Sequence, residues 1–149
     1  MLKGIDPLLN AEVLGALAAM GHGDDLILAD TNFPAESLAR RTALGRLLRI
    51  DAPAARVARA VLSLYPLDGF VDDAAARMEV VGDPGRLEPV QAEVQAEIDA
   101  AEGRVWPMIG IERHAFYARA GAAFAVIQTG ERRFYGCFAL RKGVIGPEG

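Results

Sequence analysis

Apolar residues recur at helical spacing over several segments of the chain, and short apolar runs separate these segments. Residues 7–23, PLLNAEVLGALAAMGHG, predict a helix with an N-cap at Asn10 and a left-handed glycine, Gly21, at its end. Residues 25–30, DLILAD, then predict a short buried strand. The pattern breaks at TNFP, because the residue before Pro34 is disfavoured in a helix.

Strands and helices alternate along the rest of the chain. Further helices are predicted over 51–68, 86–103 and 112–123, and further strands over 76–85 and 106–111. Asp51 would cap the first of these helices, Gly103 would follow the second, and 41–53 fits a helix or a strand equally. Residues 124–145 predict a closing hairpin of two strands around the turn TGER. This order indicates an α/β fold, a single domain over 1–149 with a mixed sheet flanked by helices.

The composition excludes several classes of protein. With 149 residues, 52% of them hydrophobic, the chain is long enough and apolar enough for one folded domain. A formal net charge of −4 with interspersed signs argues against a nucleic-acid-binding surface. No apolar stretch is long enough to span a bilayer and none has the form of a secretory signal, so we expect a cytoplasmic protein with no membrane partner.

No motif for a nucleotide, a metal or a serine nucleophile is present. The chain contains neither the glycine-rich phosphate loops nor the G-x-S-x-G sequence of serine hydrolases. Its two histidines lie in different segments, and Cys137 is its only cysteine, which excludes an internal disulfide and disfavours a zinc site. The chemistry that remains uses acids, bases and hydrogen bonds, without a cofactor.

His22 and Asp30 stand at the two ends of the first predicted strand. His22 lies between two glycines in GHGDD, which leave it accessible, and an imidazole can take up and release protons near neutral pH. Asp30 ends the strand, where α/β proteins often carry functional groups. An exposed turn histidine and a turn aspartate that accepts backbone N–H bonds are the structural alternatives. Eight extended residues span roughly 26 Å, so both residues can serve one site only through a folded-back loop or across a subunit boundary.

Arg113 and Tyr135 are the other candidates from residue chemistry. Arg113, in IERHAFY, offers a planar set of donors that suits an oxygen-rich ligand, and Tyr135, in GERRFYG, offers a phenol. On a helix Arg113 would share a face with Tyr117, so a structural pair between these two is the alternative. Tyr135 fits an ordinary residue of a surface strand equally well.

Five segments together resemble the RbsD/FucU family of sugar mutarotases. They are MLKGIDPLL, MGHGDDLILADTNFPAES, IERHAFY, TGERRFYG and LRKGVI. The resemblance is collinear from Met1 to Ile145 and is weakest between about residues 40 and 105. It implies an RbsD-like fold and a cofactor-free enzyme that interconverts ring forms of a monosaccharide. It also implies a ring-shaped homo-oligomer, commonly a decamer, with its pockets where subunits meet.

The resemblance assigns roles to residues by position. His22 falls on the family's catalytic histidine, and Asp30 falls on its sugar-binding aspartate. Arg113 matches the fucose-type branch, because the ribose-type branch has a histidine there. These matches favour a fucose-type mutarotase with His22 as the acid–base residue.

One substrate-binding segment departs from the family's pattern. Tyr135 and Gly136 match the start of a Tyr-Gly-Asn or Tyr-Ala-Asn segment, but Cys137 stands where asparagine is usual. A thiol is a weak substitute for an amide that both donates and accepts, so the sugar stays open. A ribose-type pyranase, a monosaccharide-binding protein without activity and a purely structural ring protein are therefore the alternatives.

Overall fold

The computed structural model describes residues 1–149 and contains eleven helices and strands, which alternate except that two strands follow one another at the end. The helices are α1 (Ala11–Ala19), α2 (Ala35–Ala39), α3 (Ala54–Leu62), α4 (Pro89–Glu102) and α5 (Arg113–Gly121). The strands are β1 (Asp25–Ala29), β2 (Leu48–Ile50), β3 (Ala75–Met78), β4 (Met108–Ile111), β5 (Ala125–Thr129) and β6 (Phe138–Arg141). None of the helices is long and apolar enough to cross a membrane.

The six strands form one mixed sheet in the order β2-β5-β1-β6-β3-β4. β1 pairs in parallel with β5 and antiparallel with β6, and β6 also pairs antiparallel with β3. The other neighbouring pairs are parallel, so β6 alone runs against the other five strands. The predicted α/β fold with a mixed sheet is confirmed.

The predicted closing hairpin is wrong. β5 and β6 do not pair, because β1 lies between them in the sheet. A tight turn joins only neighbouring strands, whereas these two are two interstrand spacings apart, on the order of 10 Å. Residues 130–137 therefore cross over the carboxyl end of β1. This stretch is termed the crossover segment below.

Helices cover both faces of the sheet, and the alternation of side chains along β1 fills two cores. Leu26 and Leu28 join the larger core, which includes buried residues of α1, α3 and α4. Ile27 and Ala29 join the smaller core on the opposite face, with α2 and α5. Because both faces of β1 are buried, its run of apolar residues is continuous.

Asn10 caps α1 as predicted, but the end of this helix differs. The Asn10 side chain accepts the backbone N–H three residues on at 3.0 Å. The helix ends at Ala19, and Met20 is extended with ψ at 141°. The predicted left-handed Gly21 is wrong, because its N–H donates to the Asp24 carboxylate at 2.7 Å and the left-handed residue is Gly23, with φ at 87°.

Five other elements differ from, confirm or sharpen the predictions. Asp51 does not cap α3, because the first N–H of that helix, on Ala54, donates to the distant Glu131 carboxylate at 3.3 Å. The ambiguous stretch 41–53 contains the strand β2, and the short helix α2 was not predicted. The strand expected over 76–85 is shorter than predicted and begins one residue earlier, because β3 covers Ala75–Met78. The end of α4 at the left-handed Gly103, with φ at 69°, is confirmed.

Buried Glu131 holds the crossover segment in place. Its carboxylate accepts the backbone N–H of Arg133 at 3.0 Å and the Arg133 guanidinium at 2.9 Å, and its carbonyl oxygen accepts the Thr31 N–H at 2.9 Å. The hydrogen bond from Arg133 lowers the pKa of Glu131 from its ordinary 4.5 to about 2. The carboxylate therefore ties the crossover segment to α3, and the carbonyl ties it to the residue after Asp30.

Glu131→Gln is expected to lower the free energy of unfolding at pH 7 by about 2–3 kcal/mol, because the amide replaces a charged acceptor of several N–H groups. The native carboxylate stabilises the fold above pH 4.5, and this stabilisation is lost as the pH falls toward 2. The difference between wild type and variant should shrink over the same range. Urea unfolding across pH measures both effects. Glu148→Gln, at an exposed position, is the matched control, and a difference that does not change with pH would contradict the prediction.

Candidate active site

A pocket of about 420 Å³ opens at the carboxyl end of β1. It is termed the strand-end pocket, and the residues that line it are Asp30, Asn32, Phe33, Met78, Val81, Arg113, Tyr117, Phe134, Tyr135 and Cys137. Four of the predicted site residues are thus brought together, from the position just after β1, from α5 and from the crossover segment. Polar groups gather among apolar side chains, which is the usual make-up of a small-molecule site.

Asp30 is nearly fully buried at the base of this pocket, with 5% of its surface exposed. One carboxylate oxygen, Oδ1, accepts the backbone N–H groups of Asn32 and Phe33, each at 2.9 Å. The other, Oδ2, accepts the Cys137 thiol at 3.4 Å. Asp30 therefore does accept backbone N–H bonds in a turn, which was its structural alternative. This role uses only one of its two carboxylate oxygens.

Cys137 acts in the pocket as a neutral thiol. Burial, together with the neighbouring Asp30 charge, raises its pKa well above the ordinary value. The side chain is 2% exposed and donates to Asp30. The residue that departs from the family's pattern thus contacts the aspartate directly, and it offers a ligand little surface of its own.

The backbone of the crossover segment is held close to Asp30. Tyr135 has φ at 61°, which is unusual for a residue with a side chain. Buried Gln91 donates to its carbonyl oxygen at 3.2 Å, and the Tyr135 hydroxyl accepts the Val81 N–H at 3.2 Å. A Cβ atom on the next residue, Gly136, would lie 2.7 Å from the Glu131 side chain and 3.4 Å from Cβ of Asp30. Because Gly136 has no side chain, the crossover segment can pass this close to Glu131 and Asp30.

Arg113 lies at the rim of the pocket, at the first position of α5. The Glu112 carboxylate caps this helix by accepting two backbone N–H groups, which lowers the pKa of Glu112. The Arg113 Nε group donates to the Tyr117 hydroxyl at 3.0 Å, so the predicted structural pair is present. The other guanidinium N–H groups of Arg113 have no partner in the chain and remain available for ligand oxygens.

His22 lies apart from the strand-end pocket, at the amino end of β1. Its Nε2 atom is 3.0 Å from Oδ2 of buried Asp68, and its ring meets the Phe70 ring edge to face at 5.8 Å between centroids. The side chain of His22 is 48% exposed. These three residues are termed the histidine face. The loop does not fold back, so within one chain His22 and Asp30 do not share a cleft.

Several residues of both regions escaped prediction from sequence. Asn32, Met78 and Val81 line the pocket because loops at the ends of β1 and β3 meet there, which local patterns do not show. Asp68 precedes a glycine, so its local sequence is typical of a turn. It does not indicate a contact with His22, which lies 46 residues away. No group of three or more His, Cys, Asp or Glu side chains is placed to hold a metal ion.

The chain is similar to sugar-processing proteins over nearly its whole length. A family model described as the RbsD / FucU transport protein family matches residues 3–145. The fucose mutarotase of Homo sapiens is 45% identical over 148 residues, covering 97% of this chain and 94% of that protein. A solved structure of a candidate sugar binding protein is 61% identical with a TM-score of 0.96, covering 98% of this chain and 97% of that one. A fucose mutarotase of Streptococcus pneumoniae, solved in complex with L-fucose, is 32% identical with a TM-score of 0.86, covering 97% and 100%.

Gly136→Ala is expected to destabilise the fold by about 1–3 kcal/mol, because the added methyl group would overlap the Glu131 side chain and push the segment away from Asp30. Thermal unfolding measures the loss. Gly69→Ala is the matched control, since a Cβ atom there meets nothing within 4 Å. Equal melting temperatures for the two variants would show that the close packing at Gly136 is not needed.

Proposed function

The chain belongs to the RbsD/FucU family, and from this we propose that it is a mutarotase that interconverts the α and β anomers of L-fucose. The observation that carries the proposal is the similarity, over almost the full length of both chains, to a fucose mutarotase solved in complex with L-fucose. The higher identity to the human fucose mutarotase points to the same activity. The substrate is a monosaccharide, and the enzyme is an isomerase.

Mutarotation requires proton transfer at two oxygens of the sugar. The anomeric hydroxyl loses a proton as its oxygen forms the carbonyl, the bond from the anomeric carbon to the ring oxygen breaks, and the ring oxygen gains a proton. The open-chain aldehyde then rotates and recloses on its other face. A single group that accepts and returns a proton near neutral pH is sufficient, and no electrons are exchanged with a cofactor. We assign this proton transfer to His22.

The strand-end pocket suits a deoxy sugar with hydroxyl groups on one side and a methyl group on another. Asp30 and the free N–H groups of Arg113 offer charged partners for sugar hydroxyls. Met78, Val81 and Phe134 form an apolar part of the lining, against which the methyl group would pack. In this proposal Tyr135, Gly136 and Cys137 shape the binding site, with the tyrosine hydroxyl near the sugar and the other two supporting Asp30.

A second copy of the chain would complete the site. Since His22 lies outside its own strand-end pocket, we propose that His22 of the partner subunit reaches it. Each half of the site carries a large exposed apolar side chain, Phe70 at 77% on the histidine face and Phe134 at 73% at the pocket. Contact between two different surfaces of identical chains closes into a ring when the rotation allows it, and we propose a decamer.

Two other functions remain as alternatives with distinct outcomes. A ribose-type pyranase would exchange pyranose and furanose forms of D-ribose faster than it exchanges the anomers of L-fucose. A sugar-binding protein without activity would bind L-fucose and leave the exchange rate at the level of buffer. Saturation-transfer NMR on the two sugars, together with calorimetric binding of L-fucose, separates these cases.

A cytoplasmic location stays a prediction, as does a single domain over 1–149.

His22→Ala is expected to reduce L-fucose anomer exchange by at least about 100-fold, because acid–base catalysis by one side chain contributes about 10²–10⁴-fold. Saturation-transfer NMR measures the exchange rate. His114→Ala removes the only other histidine, which lies outside the pocket, and should leave the rate unchanged. A His22→Ala protein with the wild-type rate would rule out this histidine as the acid–base residue.

Mixed oligomers test whether two chains share each site. His22→Ala and Arg113→Ala subunits are each expected to be nearly inactive alone. After co-refolding at equal amounts, about a quarter of the sites would hold an intact histidine face next to an intact pocket, so about a quarter of the wild-type activity should return. No recovery in rings shown by mass spectrometry to contain both variants would place the whole site within one chain.

A further inference from the structure

We infer that Asn32 is a specificity-determining residue of the strand-end pocket: its side-chain amide binds a ring hydroxyl of the sugar and so favours one arrangement of hydroxyl groups over its epimers. The inference rests on the proposed function for the class of substrate. Asn32 lies two residues after Asp30 and lines the pocket. It is not among the site residues predicted from the sequence.

The backbone of Asn32 is fixed relative to Asp30. Its N–H donates to Oδ1 of Asp30 at 2.9 Å. On one side the Thr31 N–H donates to the carbonyl of Glu131 at 2.9 Å, and on the other the Phe33 N–H donates to the same Oδ1 atom at 2.9 Å. The Phe33 side chain is buried and belongs to the smaller core. The amide is therefore presented from a rigid turn, next to the buried carboxylate.

The amide of Asn32 has no partner within the chain. The residue is exposed at the pocket, and only its backbone N–H takes part in a hydrogen bond with the turn. An amide offers two N–H donors and an acceptor oxygen, so one side chain can both donate to and accept from the hydroxyl groups of a sugar. The turn at Asp30 places no demand on this side chain, which leaves the amide free for a ligand.

The other polar groups of the pocket are one-sided or already engaged. The Asp30 carboxylate only accepts, and the Arg113 guanidinium only donates. The two tyrosine hydroxyls that line the pocket each accept a hydrogen bond from the chain, and the Cys137 thiol is buried against Asp30. The remaining lining residues are apolar. Asn32 thus carries the one side chain of the lining that both donates and accepts and is not yet engaged.

The position of this amide gives it the means to distinguish epimers. Asn32 and Asp30 belong to the same turn, so we assign to Asn32 the hydroxyl next to the one that Asp30 holds. Epimerisation moves a hydroxyl to the other face of the ring and leaves the amide without its partner. A site that bonds a substrate hydroxyl discriminates in this way against sugars that do not present it.

Asn32→Ala removes the amide at an exposed position. We expect KM for L-fucose anomer exchange to rise by about 3–10-fold, with kcat within about twofold of wild type, because one neutral hydrogen bond to the substrate is lost. L-Rhamnose keeps the methyl group of L-fucose but is inverted at C2 and C4, so its exchange should change by less than about twofold. The preference for L-fucose in kcat/KM should therefore fall by about 3–10-fold. Saturation-transfer NMR at several sugar concentrations measures both rates.

Two controls separate the recognition of hydroxyl groups from other effects. D-Arabinose has the C2–C4 arrangement of L-fucose without the methyl group, so its kcat/KM should fall by the same factor in Asn32→Ala. Thr31→Ala changes the adjacent exposed residue, which does not line the strand-end pocket, and should leave all three sugars unchanged. Equal losses for L-fucose and L-rhamnose, or an unchanged KM for L-fucose, would overturn the inference.

A wild type that exchanges no L-fucose would instead overturn the proposed function. Calorimetric Kd values for the three sugars then decide the inference by themselves. Asn32→Ala should weaken binding of L-fucose and D-arabinose and leave L-rhamnose unchanged. Equal weakening of all three, or none, overturns the inference, and a wild type that binds none of the sugars overturns both proposals.

Discussion

The buried Glu131 carboxylate is the interaction on which the rest of the site depends, because it holds the chain where it crosses the end of β1. Without this crossing, β6 would not lie on the far side of β1 from β5, and Tyr135, Gly136 and Cys137 would not lie beside Asp30. Both the strand order of the sheet and the shape of the pocket therefore depend on the Glu131 carboxylate. The strained backbone of Tyr135 persists because Glu131 and Gln91 hold the segment on both sides.

β1 separates the two kinds of chemistry in this protein. The carboxyl end of the strand provides charged hydrogen-bonding groups in a mostly apolar pocket, and the amino end provides a half-exposed imidazole on a rigid loop. Both ends are preorganised within one chain, since each functional side chain is held by hydrogen bonds that exist without a ligand. If two copies share each site, as proposed above, their relative placement is the remaining geometric variable, and subunit assembly would then control activity.

The sequence predicted the features that are set by neighbouring residues. The Asn10 cap, the apolar strand β1, the end of α4 at Gly103 and the pairing of Arg113 with Tyr117 each depend on residues a few positions apart. The left-handed Gly21 failed for a local reason, its bond to Asp24, but most features that failed or were missed depend on distant residues. The first N–H of α3 finds its acceptor 77 positions away, and β1 separates two strands that are consecutive in sequence. The contact of Asp68 with His22, 46 positions apart, belongs to the same class.

The place of β1 in the sheet has a consequence for synthesis of the chain. β1 is complete within the first 30 residues, but both of its neighbours, β5 and β6, come from the last 25 residues. As the chain leaves the ribosome, the apolar stretch DLILA therefore stays without strand partners until β5 and β6, over residues 125–141, have been made. In a nascent or truncated chain, both edges of this apolar strand are unpaired. Such edges have a very high tendency to pair with other chains. The central strand of the fold thus gains both of its neighbours only after residues 125–141 have been made, and until then its two edges are open to association with other chains.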